Sequence, residues 1–165
     1  MPLRYVSGDA TQPQGTGLNL IVHVCNDIGA WGRGFVVALS RRSRLPEQAY
    51  KRWAAGETGP PFELGQVQFV QLEPDLWVAN LIGQHDIARK HAPTEVPPVR
   101  YDAVRAGLRR VHDWAHQHGA SVHMPRIGAG LAGGDWAQIE PILQQELSDL
   151  SVSVYDLPPG RPENV

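Results

Sequence analysis

Cysteine is almost absent: Cys25 is the one copy in 165 residues. That excludes an internal disulfide and any zinc site built on a cysteine cluster. An excess of one charge sign is missing too, with 15 basic residues against 17 acidic and a formal net charge of −2. A protein that neutralises a long phosphate backbone over a broad basic surface is not expected from that balance. A ligand with a few phosphates stays open, because glycine-rich loops bind anions through backbone N–H groups. No run approaches the roughly 18 apolar residues of a membrane span. The opening M-P-L-R-Y-V lacks the pattern of a secretory leader. The expectations are therefore a cytoplasmic location, no membrane partner and a monomer.

Hydrophobic residues at 42% and charged residues at 19% describe an ordinary globular chain. Its length suits one domain over residues 1–157, with the proline-rich end, 158–165, expected to be a flexible tail. Seventeen glycines and fourteen prolines cut the chain into short elements.

The most informative stretch is L-I-V-H-V-C-N-D-I-G-A-W-G-R-G-F, residues 20–35. Leu20 to Cys25 reads as a buried parallel strand. Asn26 and Asp27 follow, then Gly29, Gly32 and Gly34, then a helix from Gly34 to Arg44. Strand, glycine loop and helix is how an α/β protein offers N–H groups to an anion. The spacing G-x-x-G-x-G is not the dinucleotide fingerprint G-x-G-x-x-G, which argues against a standard Rossmann cofactor. A counterpart lies at P-R-I-G-A-G-L-A-G-G-D-W, residues 125–136, after a strand over Ala120 to Met124 and before a helix capped by Asp135.

Around these, Leu3 to Val6 reads as a strand closed by Ser7-Gly8-Asp9. Pro46 to Ala55 reads as a helix. Val67 to Leu72 and Leu76 to Ile82 read as an antiparallel hairpin, and residues 87–98 as a long loop. Arg100 to His118 has strong helical periodicity and ends at Gly119. Ser151 to Leu157 closes the sheet. The fold class is α/β, a mixed sheet with helices on both faces.

Two glycine loops closing one crevice suit a diphosphate between two sugars. Hydrolysis there would also need a group to hold or deprotonate water. Asn26 can hold a sugar hydroxyl, and Asp27 can position water or fix its loop. The strand over 76–82 ends in I-G-Q-H-D, which offers Gln84 and His85; histidine is the side-chain type suited to acid–base work. Arg33 and Arg126 are the positive groups beside the two loops, and Trp31 and Trp136 the rings. His23, alone in an apolar strand, reads first as a hydrogen-bonded core residue. His112 and His116 share one helix face, but with no cysteine or H-E-x-x-H pattern beside them they read as a solvated face. No metal is expected.

Taken together, V-S-G-D-A at 6–10, H-V-C-N-D at 23–27, G-A-W-G-R-G-F at 29–35 and M-P-R-I-G-A-G-L at 124–131 resemble the macrodomain family across residues 3–157. The nearest subgroups are those of the ADP-ribose 1''-phosphate phosphatase-like proteins, the ADP-ribosyl-glutamate hydrolases and the macro module of a chromatin-remodelling helicase. The resemblance implies a three-layer α/β/α sandwich with a central mixed sheet that binds ADP-ribose, with no further cofactor. It places Asp9 on the adenine amino group, Asn26 on the distal ribose, and Gly32 and Gly34 along the distal ribose and diphosphate. Ile127, Gly128, Ala129, Gly130 and Leu131 would wrap the diphosphate, with Tyr155 near the adenine. Ala10, His23, Phe35 and Arg126 complete the ligand contacts it implies. The expected partner is ADP-ribose or ADP-ribosylated protein, with ADP-ribosylated nucleic acid also open.

The glutamate hydrolases carry a lysine after the strand matching 76–82 and an aspartate after the G-x-G-L segment. This chain has I-G-Q-H-D and Ala132 there. The expected function is an ADP-ribosyl hydrolase with Asn26, Asp27, Gln84 and His85 as its catalytic set. The alternative is a non-catalytic ADP-ribose or poly(ADP-ribose) reader.

Overall fold

The computed structural model describes residues 3–87, 97–130 and 132–158. Ten elements follow one another: β1 Leu3–Ser7, β2 Asn19–Asn26, α1 Phe35–Arg42, α2 Leu45–Ala54, β3 Val67–Glu73, β4 Leu76–Gln84, α3 Tyr101–His118, β5 Ser121–Met124, α4 Trp136–Glu146 and β6 Val152–Asp156. The strands form one sheet in the order β1-β6-β5-β2-β4-β3. Every neighbouring pair is parallel except β3 with β4, the expected hairpin. Most of the loop expected over 87–98 and nearly all of the expected tail lie outside the described residues, as does Leu131.

Side chains alternate across a strand, and β2 uses this to separate two layers. Leu20 and Val22 pack with Val104, Leu108 and Val111 of α3 and with Ile139 and Leu143 of α4. Ile21 packs on the other face with Phe35 and Leu39 of α1, and Cys25 with Tyr50 and Trp53 of α2. The expected three-layer α/β/α sandwich with a central mixed sheet is what forms.

Glycine sets the closest approach between layers. A Cβ on Gly107 of α3 would lie 2.4 Å from Leu81 Cγ, so the helix sits directly on β4 there. Gly119 ends α3 in the left-handed region at φ 65°, donating its N–H to the helix's last carbonyls.

The topology also decides where function can sit. Because β1, β2, β4, β5 and β6 run the same way, their C-terminal ends share one edge of the sheet. That edge gathers Gly8-Asp9, Asn26-Asp27, Gln84-His85, Pro125-Arg126 and Asp156, which are far apart in the chain. In an open α/β sheet the crevice for ligand lies at this edge.

Candidate functional site

A pairing irregularity aims β4 at the crevice. Cys25 pairs with Ile82 but Asn26 pairs with Gln84, so Gly83 is an extra residue on β4. Such a bulge turns the next side chain. Gln84 lines two adjoining cavities that also share Val24, Arg33 and Val36. The first, of about 80 Å³, lies between the loop before α1 and the loop after β5, with Gly34, Phe35, Arg126, Ile127, Gly128 and Gly130 in its wall. The second, of about 300 Å³, runs beside Cys25, Asn26, Ala30, Trp31, Gly32 and Ile87. An open hollow of about 360 Å³ continues past Trp31, Gly32 and Val36 to Arg41, Arg44 and Glu47.

The loop before α1 owes its shape to Asn26. Its carboxamide oxygen accepts from Ile28 N–H (3.1 Å) and Ala30 N–H (3.0 Å), and its amide nitrogen donates to the Ala30 carbonyl (2.8 Å). The Tyr50 hydroxyl reaches the main-chain and side-chain oxygens of Asn26 at 2.7 and 2.8 Å. Asn26 therefore builds the loop as well as facing the larger cavity. Gly34, at φ 78°, turns the chain into α1, and no side chain caps that helix. Its first N–H groups point where an anion is favoured.

Gly32 is distinctive in a different way. Its φ lies outside the left-handed region, and a Cβ built there meets no atom within 4 Å. Neither a left-handed φ nor internal packing demands glycine there, and the position borders the larger cavity. Gly128 differs: it has φ 72°, and a Cβ would press on Ile139 and Val99. Around it the Ala129 N–H bonds Arg126 O (3.3 Å) and the Gly134 N–H bonds Gly128 O (2.7 Å).

Asp27 and His85 meet across β2 and β4. His85 Nδ1 lies 2.7 Å from Asp27 Oδ2, and Asp27 Oδ1 accepts the Asp86 N–H at 2.8 Å. Asp27 is largely covered, whereas the His85 ring is 58% exposed. Neither lines the two cavities; His85 sits between two residues that do, Gln84 and Ile87. Asp86, held by Asp27, is the one described non-glycine residue with positive φ, at 60°.

The remaining predicted residues fall into three places. Asp9 accepts from the Thr11 N–H (2.9 Å) and hydroxyl (2.7 Å), which fixes the turn after β1, with Ala10 fully buried behind it. Arg126 makes a two-point pair with Asp156 at 2.8 and 3.0 Å and lies over the rings of Tyr5 and Trp136. The Asp156 carboxylate raises the Arg126 pKa, and the guanidinium in turn lowers that of Asp156. Arg126 borders the smaller cavity as one half of an ion pair. Tyr155 is buried, and its hydroxyl accepts from the Gln14 N–H at 2.9 Å.

Two buried histidines support this framework. His23 donates from Nε2 to Asn80 Oδ1 at 2.5 Å, while the Asn80 amide donates to the Pro46 carbonyl and Gln68 Oε1. His23 also packs edge-on to Trp31 and against Phe35. Desolvation lowers its pKa to about 4, so it is neutral. His123 bridges Ser121 Oγ and the Tyr155 hydroxyl, each 2.8 Å away. Burial, with the Arg4 charge adding to it, lowers its pKa to about 4 as well. Burial pushes the Cys25 thiol far up, which leaves no nucleophile there.

Sequence reading missed Val24, Val36, Ile87 and Pro125 as cavity walls. Apolar residues beside a glycine loop look like core; Val24 differs only in being the one half-covered residue of an otherwise buried strand.

No family model matches the chain. The chain is 32% identical over 162 residues to the chromodomain-helicase-DNA-binding protein 1-like protein of Danio rerio, with 93% of this chain matched, and it spans only 15% of that relative's length. It is 21% identical to the ADP-ribose 1''-phosphate phosphatase of Saccharomyces cerevisiae over 94% of this chain and 98% of the yeast protein. Among solved structures, the Thermosipho africanus DarTG in complex with ADP-ribose shares the fold at TM-score 0.73 and 16% identity, over 98% of this chain and 43% of that one. The macrodomain protein from Streptomyces coelicolor is much nearer: TM-score 0.81 and 50% identity, covering 93% of this chain and 98% of that chain. Identity of that degree over nearly the full length of both proteins carries the assignment: this chain belongs to the macrodomain family.

Proposed function

We propose that the protein binds ADP-ribose along the cleft at the C-terminal edge of its sheet and hydrolyses a linkage at the distal ribose, releasing ADP-ribose. Macrodomain membership and the cleft's form support the binding half. Two cavities in series, flanked by an uncapped helix N-terminus, a glycine loop and Arg33, suit a diphosphate between two ribosyl groups. The ADP-ribose held by the Thermosipho protein and the activity named for the yeast relative point to the same ligand class.

The observation that carries the hydrolytic half is the Asp27–His85 pair. When His85 donates from Nδ1 to Asp27, the lone pair is on Nε2, in a side chain that is 58% exposed, and it serves as the base. Asp27 is itself fixed by the Asp86 N–H. His85 takes a proton from water as the oxygen attacks the anomeric carbon of the distal ribose, and the bond to the leaving carboxylate, phosphate or base breaks. Gln84, in the wall of both cavities, orients the substrate. This chemistry needs neither the lysine nor the aspartate of the glutamate hydrolases.

The alternative, a non-catalytic ADP-ribose reader, keeps the cleft and gives Asp27 and His85 a purely structural task. Turnover would be measured on ADP-ribosylated glutamate, acetyl-ADP-ribose, ADP-ribosylated DNA and ADP-ribose 1''-phosphate, with His85→Gln and Asp27→Asn in parallel. The expected result is a fall in kcat of about 100-fold in each variant, with ADP-ribose affinity retained. Binding without turnover of any of these substrates would establish the reader. Turnover indifferent to both substitutions would refute the assigned roles, and absence of ADP-ribose binding would refute both readings.

A further inference from the structure

We propose that His112, His116 and Asp149 bind a divalent transition-metal ion, with zinc as the expected occupant, at a site separate from the ADP-ribose cleft. Helix α3 begins after the cleft end of β4 and finishes before the first residue of β5, so it runs from the cleft edge towards the opposite edge of the sheet. His112 and His116 lie in its second half, and Asp149 lies between α4 and β6. None of the three lines the cleft cavities.

Three independent features of geometry converge there. Spacing of i and i+4 puts both imidazoles on one helix face, where the rings stack nearly parallel, 10° apart in plane with centroids 5.7 Å apart. Asp149 reaches this pair from another part of the chain: its Oδ1 is 2.8 Å from His112 Nε2 and its Oδ2 is 3.9 Å from His116 Nδ1. One ligand atom from each of the three residues lies within 4.8 Å of the others. Around a tetrahedral zinc with bonds of about 2.0–2.1 Å, neighbouring ligand atoms stand about 3.3 Å apart. The adjustment falls on His116, whose side chain is 70% exposed.

The third feature is the support behind His112. Its other ring nitrogen, Nδ1, lies 3.1 Å from Asp113 Oδ1. A carboxylate on one nitrogen of a histidine fixes the tautomer that ligates through the other, the arrangement found behind metal-bound histidines. A metal ion at Nε2 takes the place of the proton now shared with Asp149. Two imidazoles and one carboxylate suit zinc and its transition-metal neighbours rather than magnesium or calcium, which take oxygen ligands. Solvent fills the fourth position. Bound there, the ion links α3 to the segment that leads into β6.

Chelator-treated full-length protein would be titrated with zinc chloride by calorimetry at pH 7.5, and with cobalt chloride by visible absorption. The expected result is one equivalent per chain with micromolar affinity, a tetrahedral cobalt band, and a rise in melting temperature of several degrees in excess zinc. His112→Ala and His116→Ala should each weaken binding at least tenfold. Asp113→Asn should weaken it about tenfold through the orientation of His112, and His118→Ala and His85→Gln should leave it unchanged. Absence of binding below millimolar zinc overturns the proposal, as does full affinity in the His112→Ala/His116→Ala double variant. If that variant fails to fold, exposed His116→Ala decides alone. The readout is zinc, so it stands apart from success or failure of the ADP-ribose reading.

Discussion

Gly32 offers the sharpest test of where the ligand lies. Gly32→Glu should leave folding untouched, since the added Cβ meets nothing within 4 Å and the backbone is in a region open to any residue. Loss of glycine freedom in the unfolded chain should even stabilise by about 0.4–1 kcal/mol. Gly32 borders the cavity of about 300 Å³, and glutamate brings a negative charge to its wall. At an effective dielectric of about 20, a carboxylate at about 6 Å from one phosphate charge is opposed by about 3 kcal/mol, a loss of roughly 100-fold in affinity. Gly32→Gln, of the same shape without the charge, should lose less, and the difference between the two should shrink at high salt. Calorimetric titration with ADP-ribose, beside thermal unfolding of each variant, measures both halves. A folded Gly32→Glu that binds within threefold of the parent would mean that the ligand does not pass Gly32. A variant that unfolds would refute the reading of open space.

Mild acid should destabilise the fold through its two buried neutral histidines. His23 and His123 have pKa values of about 4 in the fold against about 6.5 unfolded. The unfolded chain thus gains protons first: their contribution is complete above pH 6.5 and declines as pH falls towards 4, with a loss of roughly 2 kcal/mol for each histidine by pH 5. Urea unfolding at pH 7.5 and pH 5 tests this, and equal stability at both would contradict it. Gly107→Ala should cost about 1–2 kcal/mol, because the methyl overlaps buried Leu81 and the overpacking exceeds alanine's gain of about 1 kcal/mol in helix propensity; a higher melting temperature would count against it. Tyr50→Phe removes the hydroxyl that holds both Asn26 oxygens and should cost about 1–2 kcal/mol in chemical denaturation, with weaker ADP-ribose binding as the 26–30 loop loosens.

Much of this protein could be read from local pattern. The continuous apolar run of β2, the three-to-four spacing of α3, Gly119 after it and the short E-P-D connector between β3 and β4 each state their structure within a few residues. Periodicity and turn chemistry are local properties, so they survive in a one-dimensional reading. Both glycine loops were legible for the same reason, as was the family resemblance their motifs carry.

Pairing in space was not. Arg126 was legible as a positive group beside the second glycine loop, but not its two-point pair with Asp156, thirty residues on. His112 and His116 could be placed on one helix face from their spacing, but only the fold brings Asp149 beside them. Asp27 and His85 were separate candidates until parallel pairing of β2 with β4 put them 2.7 Å apart. Sequence alone determined the elements, their layers and the two loops, because hydrophobic period and glycine placement act over a few residues. The tertiary structure decided which charges are paired and which face the cleft, because such contacts join residues that strand order, rather than chain order, makes neighbours.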